Sequence, residues 1–495
     1  MGRGQAVRQG TLDPLSEGSN PSAPAIFFYS GDEGSKVQDW CLVVLAAGQG
    51  KRMRSPLPKV FLPVLGKPLM EYLLDATEAF GFTQRLVVFA PRFLEEAKNV
   101  FGGRVEVVTQ EVPKGTADAL KSALPFIRSD VEMVLTVYAD MPLLPRETIK
   151  AMLDFVETGD GDITFLTAST PHPESFGRVV RDEQGRPLRV VEEKDCSPQE
   201  LAIREVNVGV FAFRKAILPE VLEAIRDANR QQEFYLTDVV EVGWQKGLTV
   251  RAFQVTWQEE FLNVNGPADL ASVFAFLRQR KIASLWERGT KIFDPQSVYI
   301  DWNVEVEEDV WLYPGTVIEG KTLIGRGTRI GPFARVVESI IGQNSVIEYS
   351  VVEHSCLEEE VVVGPFAHLR PGTRLGRGTR IGNFVEVKNS QIGERTKALH
   401  LSYLGDAQIG REVNIGAGTI TCNFDGRKKN PTFIEDWVFI GSNNSLVAPV
   451  KIGEGAYTAA GSTITQDVPP YALGVGRAKQ INVEGWAKRK RGEEK

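Results

Sequence analysis

From about Lys291 onward, aliphatic residues recur every six positions: Val363, Leu369, Leu375, Ile381 and Val387, then Ile434, Ile440, Leu446 and Ile452. Many are followed at once by glycine, as in Ile324-Gly325, Ile330-Gly331, Ile381-Gly382, Ile392-Gly393, Ile409-Gly410 and Ile415-Gly416. Such a hexapeptide gives one short strand and one tight turn. Three of them close one coil of a parallel β-helix, with the aliphatic side chain pointing inward. The glycine is expected to supply the backbone freedom that the corner needs. Five-residue steps such as Val336 to Ile341 are slips that a coil absorbs. Thr421 to Ile434 breaks the rhythm, and Asn423-Phe-Asp-Gly-Arg-Lys-Lys-Asn430 reads as a loop leaving the helix. Flat-sided coils offer little curvature for a deep pocket. By analogy with the fold, such domains trimerise and place clefts between neighbouring subunits.

The first half has a different period. From Trp40 to about Asn265, the β-rich runs Cys41–Leu45, Leu86–Ala90, Val105–Thr109, Met133–Val137 and Asp162–Leu166 alternate with helical stretches. One of these, Met70 to Phe80, has Tyr72, Leu73, Ala76 and Phe80 at helical spacing. Buried strands alternating with helices predict a mostly parallel, doubly wound sheet. Pro267 to Gly289 sets Leu270, Val273, Phe274, Leu277, Leu285 and Trp286 on one stripe of a connecting helix, with Pro and Gly as its punctuation. The fold class is therefore α/β plus all-β. The expected division is an extension at 1–38, an α/β domain at 39–266, a linker helix at 267–289, a β-helix at 290–480 and a basic tail at 481–495.

Composition narrows the function classes. With 57 Lys and Arg against 64 Asp and Glu, the formal charge is −7. That argues against a dedicated nucleic-acid binder, which carries a basic domain. Glycine, at 47 of 495 residues, exceeds the usual ~7 %. Cys41, Cys196, Cys356 and Cys422 have no CxxC spacing, so neither a disulfide framework nor a zinc site is indicated, and a reducing cytoplasm suits them. No apolar run approaches the ~18 residues that span a bilayer. Residues 1–38 lack the basic start and apolar centre of a signal peptide and read as a disordered extension.

The strand Cys41–Leu45 runs into Ala46-Ala47-Gly48-Gln49-Gly50-Lys51-Arg52-Met53, and Leu57-Pro58-Lys59-Val60 follows. A glycine-rich turn lets backbone N–H groups approach phosphate oxygens, while Arg52 and Lys59 offset their charge. Neither the P-loop spacing nor the third glycine of a dinucleotide fingerprint is present. Together with Gly66-Lys67-Pro68, these motifs resemble the signature of sugar-1-phosphate nucleotidylyltransferases. With the hexapeptide half attached, the chain from about Cys41 to about Trp486 resembles the bifunctional bacterial GlmU family. Those enzymes join a glucosamine-1-phosphate N-acetyltransferase to an N-acetylglucosamine-1-phosphate uridyltransferase, in a doubly wound Rossmann-like domain followed by a left-handed β-helix.

For the first half, the resemblance implies a UTP and UDP-sugar site at Leu45, Ala46, Ala47, Gly48, Lys59, Gln110, Gly115, Thr116, Tyr138, Asp140, Gly177, Glu192, Asn207 and Asn265. Arg52 and Lys59 would grip the triphosphate, and Asp140 with Asn265 would hold Mg²⁺, a cation that takes few protein ligands. Gln110, Gly115 and Thr116 would meet the uracil and ribose, while Gly177, Glu192 and Asn207 would meet the sugar. Departures from the family pattern are Lys51 for Thr, Ala139 for Gly and Val208 for Thr, which bear on base and sugar selectivity.

For the second half, the resemblance puts the general base on His400, in Lys397-Ala-Leu-His-Leu-Ser-Tyr403. Acetyl transfer from a thioester needs a base to take the amine proton, and histidine suits that role. Arg370, Lys388, Tyr403 and Lys429 would hold glucosamine-1-phosphate, with Asn414 and Asn423 positioning the sugar. Ser442, Ala460 and Arg477 would lie along acetyl-CoA. Phe424 stands where Tyr is common. The implied partners are glucosamine-1-phosphate, N-acetylglucosamine-1-phosphate, UTP and acetyl-CoA, in a cytoplasmic homotrimer with no nucleic acid and no membrane span. Two other readings stay open at this point: a sugar nucleotidylyltransferase of different base or sugar, and a scaffold like the translation-initiation exchange subunits that share this domain order. The tail Lys488-Arg-Lys-Arg491 reads as a solvated basic end.

Overall fold

In the computed structural model the described residues are 39–48 and 50–493, without the side chain of Lys51. The extension 1–38, read as disordered from the sequence, lies outside them, as do residues 494–495 of the tail.

The first half is a mixed sheet with helices on both faces. Its strands run in the order Val250–Thr256, Ile163–Ser169, Glu205–Arg214, Met133–Tyr138, Trp40–Leu45, Gln84–Phe89, Glu106–Thr109. Most neighbours are parallel, but Glu205–Arg214 runs antiparallel to both of its partners. The pair Arg178–Arg181 and Pro187–Val191 extends the sheet beside it. One apolar cluster fills each face: Leu42, Val44, Val87 and Leu135 on one side, Cys41, Val43, Leu86 and Val134 on the other. Successive residues of the central strands thus bury opposite faces, which is why those strands read as unbroken apolar runs.

The helix Pro267–Glu287 follows. Val273, Leu277, Ile282 and Leu285 are buried, whereas Trp286, expected on the same stripe, is half exposed. The buried stripe passes from the cluster at the domain junction, which holds Val273 and Leu277, to the β-helix core, which holds Leu285, while Trp286 turns outward. The first coil and the α/β domain share an apolar cluster containing Val64, Leu65, Tyr72, Leu143, Val264, Leu277, Tyr299 and Trp302. The Trp302 N–H donates to the Leu65 carbonyl at 2.8 Å.

From Lys291 the chain winds into three stacked sheets of eleven, ten and nine strands among the described residues. Every neighbour pair is parallel, as at Val362–Arg380 and Val387–Leu404. This is the parallel β-helix predicted from the repeat, left-handed as the family resemblance implied. The six-residue aliphatic positions form one continuous core, Ile381, Val387, Ile392, Ile415 and Ile440 among them. Burying each such side chain contributes roughly 1.5–3 kcal/mol.

Gly331, at φ 97°, supplies the backbone freedom expected of a corner glycine, but most of the glycines that follow an aliphatic residue have a different cause. Gly393 and Gly416 keep ordinary negative φ; the left-handed residues are two places later, Arg395 at φ 55° and Gly418 at φ 77°. What Gly416 supplies is room. A Cβ there would lie 2.6 Å from the Gly441 carbonyl carbon and the Ser442 nitrogen of the next coil. The glycine excess thus has two sources, positive φ as at Gly331, Gly364 and Gly418, and coil-on-coil stacking as at Gly416. As read from the sequence, residues 423–431 leave the helix as a small hairpin, closed by an antiparallel bridge between Phe424 and Lys429. Trp486–Arg491 in the tail is a short exposed helix. Among the described residues no helix is long and apolar enough to cross a membrane.

Candidate active sites

The strand Met133–Tyr138 organises the first site. Its end lies beside the end of Trp40–Leu45, with Tyr138 opposite Leu45 and the Ala139 N–H donating to the Leu45 carbonyl at 3.1 Å. Ala46 and Ala47 are buried, while Gly48 opens to solvent with nothing within 4 Å of where a Cβ would stand. Arg52 is exposed beside this turn. Lys59 reaches back across it, and its Nζ lies 2.5 Å from Asp140 Oδ2. The other carboxylate oxygen, Asp140 Oδ1, is buried with no hydrogen-bond partner among the described residues, as is Asn263 Oδ1. The Val264 N–H donates to the Asp140 carbonyl at 2.9 Å, which brings Asn265 to the same rim. A buried carboxylate oxygen without a donor is costly. A hard cation is the kind of group that satisfies it.

Two further groups of predicted residues flank Asp140. On one side Gln110 is buried, and its amide donates to the Gly115 carbonyl at 3.1 Å and to Asp118 Oδ2 at 2.6 Å. Gly115 has φ 127° and sits against Phe234, whose carbonyl oxygen would be 2.4 Å from a Cβ. Thr116 Oγ1 accepts from the Leu236 N–H at 2.9 Å. Burial, then the nearby Glu192, pushes the Tyr138 hydroxyl up. On the other side the Asn207 N–H donates to the Gly177 carbonyl at 2.9 Å, and a Cβ on Gly177 would stand 3.3 Å from Glu192 Oε1. Glu192 accepts from Thr237 Oγ1 at 3.1 Å, and burial raises its carboxyl above the usual range. Asp238 beside it is pushed up to about 7, by burial first and by Glu192 second. Gly177, Glu192 and Asn207 thus form one recess, although they come from three separate strand ends. Ala139 and Val208 are buried in the apolar cluster of one sheet face, so Val208 packs in the core rather than lining the recess that Asn207 enters.

On the β-helix, Arg370, Lys388, Tyr403 and Asn423 lie on or just beyond strands of one stacked sheet. Lys429 joins them from the projecting hairpin. Lys429 first, then burial and Arg370, lower the Lys388 ammonium from its ordinary value. Three cations converging on an open face make a site for an anion. The Tyr403 hydroxyl accepts from Asn423 Nδ2 at 3.4 Å.

His400 and Asn414 belong to the neighbouring sheet. Asn414 pairs with Lys397, at the opposite end of the strand from His400. His400 is exposed, and its Nδ1 lies 3.3 Å from Asn383 Oδ1, one coil earlier. With that amide oxygen as acceptor, Nδ1 carries the ring proton and the Nε2 lone pair is left free. Sequence reasoning missed Asn383 and also Asp406, which binds Asn423. Both partners lie 17 residues from the residue they serve, so stepping back one coil finds them. Above His400, Ala417, Ser442 and Ala460 occupy the same corner of successive coils: the Asn443 N–H donates to Ala417, the Gly461 N–H to Ser442, and Arg477 Nη1 to Ala460 at 2.8 Å. Coils stack ~4.8 Å apart, so this column suits an extended ligand.

Known proteins match this arrangement over nearly its whole length. Residues 42–237 match the MobA-like NTP transferase domain family. The bifunctional protein GlmU of Carboxydothermus hydrogenoformans is 43 % identical over 447 residues, covering 90 % of this chain and 99 % of its own. GlmU of Thermotoga petrophila is 45 % identical over 452 residues, 91 % of this chain and 99 % of its own. GlmU of Thermotoga maritima is 44 % identical over the same length and shares.

Proposed function

The chain belongs to the bifunctional GlmU family, an uridyltransferase and acetyltransferase of UDP-N-acetylglucosamine biosynthesis, and from that premise we propose which residues carry each reaction. The observation that carries the first assignment is the buried, partnerless Asp140 Oδ1 beside Lys59 and Asn265. An oxygen donor set of one carboxylate and one amide fits Mg²⁺, which completes its shell with water and phosphate oxygens. Asp140 and Asn265 would hold it, and when bound it supplies positive charge at the triphosphate. Lys59, no longer the only countercharge to Asp140, turns with Arg52 to the phosphates. The sugar recess of Gly177, Glu192 and Asn207 orients N-acetylglucosamine-1-phosphate, whose phosphate oxygen attacks the UTP α-phosphorus in line while pyrophosphate leaves. Leu45 to Gly48, Gln110, Gly115, Thr116 and Tyr138 hold the nucleotide. Positioning and charge neutralisation carry such a step.

In the β-helix, Arg370, Lys388 and Lys429 take the phosphate of glucosamine-1-phosphate, with Tyr403 and Asn423 at the sugar, while Asn414, on the neighbouring sheet, would reach a sugar held by an adjacent chain. His400 Nε2 removes the amine proton as nitrogen attacks the thioester of acetyl-CoA and CoA thiolate leaves. Ser442, Ala460 and Arg477 line the path of the CoA chain. The open face of a single chain supports a homotrimer in which neighbours complete each cleft. Free thiols at Cys41, Cys196, Cys356 and Cys422 suit a cytoplasmic enzyme.

The test separates the two reactions. Asp140→Ala is expected to abolish pyrophosphate release from UTP and N-acetylglucosamine-1-phosphate while acetylation continues. His400→Ala is expected to lower acetyl transfer by roughly 10²–10⁴-fold, the usual worth of a general base, and to spare uridyl transfer. If each change cripples both reactions, the two-site assignment is wrong.

A further inference from the structure

The hairpin 423–431 brings Asn423 and Lys429 to the acetyl-transfer face, yet a projecting loop does not by itself hold two side chains in register with a rigid coil. Asp406 supplies the tie. It sits at φ 51°, and its side chain is 14 % exposed. Both carboxylate oxygens are engaged: Oδ1 accepts from Asn389 Nδ2 at 2.6 Å, and Oδ2 accepts from Asn423 Nδ2 at 2.5 Å. Lys429 Nζ stands 3.9 Å from the same Oδ2. The backbone repeats the pattern, since the Asp406 N–H donates to the Lys388 carbonyl at 3.0 Å and the Asp406 carbonyl accepts from the Thr432 N–H at 3.2 Å. Thus one residue touches the strand of Lys388, both ends of the hairpin, and two of the proposed substrate-binding side chains. Asn423 Nδ2 also reaches the Tyr403 hydroxyl at 3.4 Å, so the orientation of the amide is fixed between Asp406 and Tyr403.

We propose that Asp406 is a positioning residue for acetyl transfer, its carboxylate bridging Asn389 on the coil to Asn423 and Lys429 on the hairpin so that these two meet glucosamine-1-phosphate in fixed geometry. The inference rests on the acetyltransferase assignment made above. A charged acceptor is needed because one of its partners is an ammonium, and charge-assisted hydrogen bonds are about twice as strong as neutral ones.

The experiment uses the full-length chain, with both activities measured on each variant. Asp406→Asn is expected to raise KM for glucosamine-1-phosphate by roughly tenfold or more, with a smaller change in kcat, an unchanged KM for acetyl-CoA and unaltered uridyl transfer; a tenfold change corresponds to ~1.4 kcal/mol. The exchange Asn389→Asp with Asp406→Asn restores the pair across the coils but moves the charge away from the hairpin. A merely structural role predicts that this double variant recovers; the positioning role predicts that it stays impaired. Recovery, or a normal KM in Asp406→Asn, overturns the proposal. His400→Ala run alongside separates the two levels: if it retains acetyl transfer, the site assignment fails, whereas a dead His400→Ala with a normal Asp406→Asn sinks only this inference.

Discussion

The two halves solve the same problem, holding an anionic sugar phosphate, in opposite ways. In the α/β domain the proposed ligands are recessed within one chain: Gln110 and Asn207 are buried, and Lys59 and Asp140 are each 15 % exposed. On the β-helix, His400, Lys388 and Lys429 stand on an open surface, and Ser442, Ala460 and Arg477 are exposed along one corner. The difference follows from architecture. A doubly wound sheet has loops at its strand ends that can fold over a crevice. A coil of three flat faces has few, so a pocket there would draw on an inserted hairpin and, in the homotrimer proposed above, on another chain.

That contrast is broken most directly by taking the copies apart. If the acetyl site is shared between subunits and the uridyl site is not, separated protomers lose acetyl transfer to the uncatalysed background. Their uridyl transfer per chain is unchanged. Size-exclusion chromatography across a dilution series, with both assays on each fraction, gives the answer; a monomer that acetylates at the full rate removes the basis of the comparison.

The same contrast explains what could be read from the amino-acid order. Aliphatic positions of the β-helix announce themselves because inward-facing residues repeat every turn of chain, and the strands of the α/β domain because both their faces are buried. Asn383 and Asp406 gave no such signal. Their roles depend on what lies one coil away, and an Asn or Asp at a corner is also ordinary turn chemistry. The glycine after each aliphatic residue was legible as a requirement, for the right reason at Gly331, where φ is 97°, but not at Gly416. Positive φ is the common reason for a corner glycine, whereas here the neighbouring coil's backbone excludes a side chain at Gly416. In the first half, Asp140 and Lys59 were visible through motifs. That Asp140 pairs with Lys59 through one oxygen and leaves the other bare needed the packed structure. Membership of the GlmU family also disposes of the scaffold reading, which shared the domain order but not the chemistry.

Because coil stacking is the whole support of the second region, a single methyl there should be felt strongly. Gly416→Ala places a Cβ 2.6 Å from backbone atoms of the next coil, and backbone cannot yield as a flexible side chain would. Overpacking of this kind costs about 1–3 kcal/mol. Thermal unfolding should show a lowered β-helix transition and reduced acetyl transfer, with the uridyl reaction little altered at low temperature. An unchanged transition would mean that the coils slide freely, contrary to the packing described.

The smallest effect separates the halves by the sign of their pH dependence. Asp238 in the α/β domain is raised to about 7 from an ordinary 3.8, by burial and then by Glu192. Between about pH 4 and 7 the unfolded chain has released this proton while the folded chain keeps it. The unfolded state therefore binds fewer protons, and stability falls as pH rises through that window. Asp425 in the β-helix hairpin goes the other way. It accepts from the Lys428 and Arg427 N–H groups and from Asn430 Nδ2, and these donors, Lys428 first, hold it at about 2. Its contribution is present above about pH 4 and is lost as pH falls toward 2. Asp238→Asn should accordingly flatten the loss of stability between about pH 4 and 7 by about 1 kcal/mol, allowing for partial solvent screening. Asp425→Asn should alter only the acid limb. Denaturant midpoints measured on both variants across pH 3 to 8 check this, and an Asp238→Asn profile parallel to that of the unaltered chain would show that the recess is open to water and no more enclosed than the β-helix face.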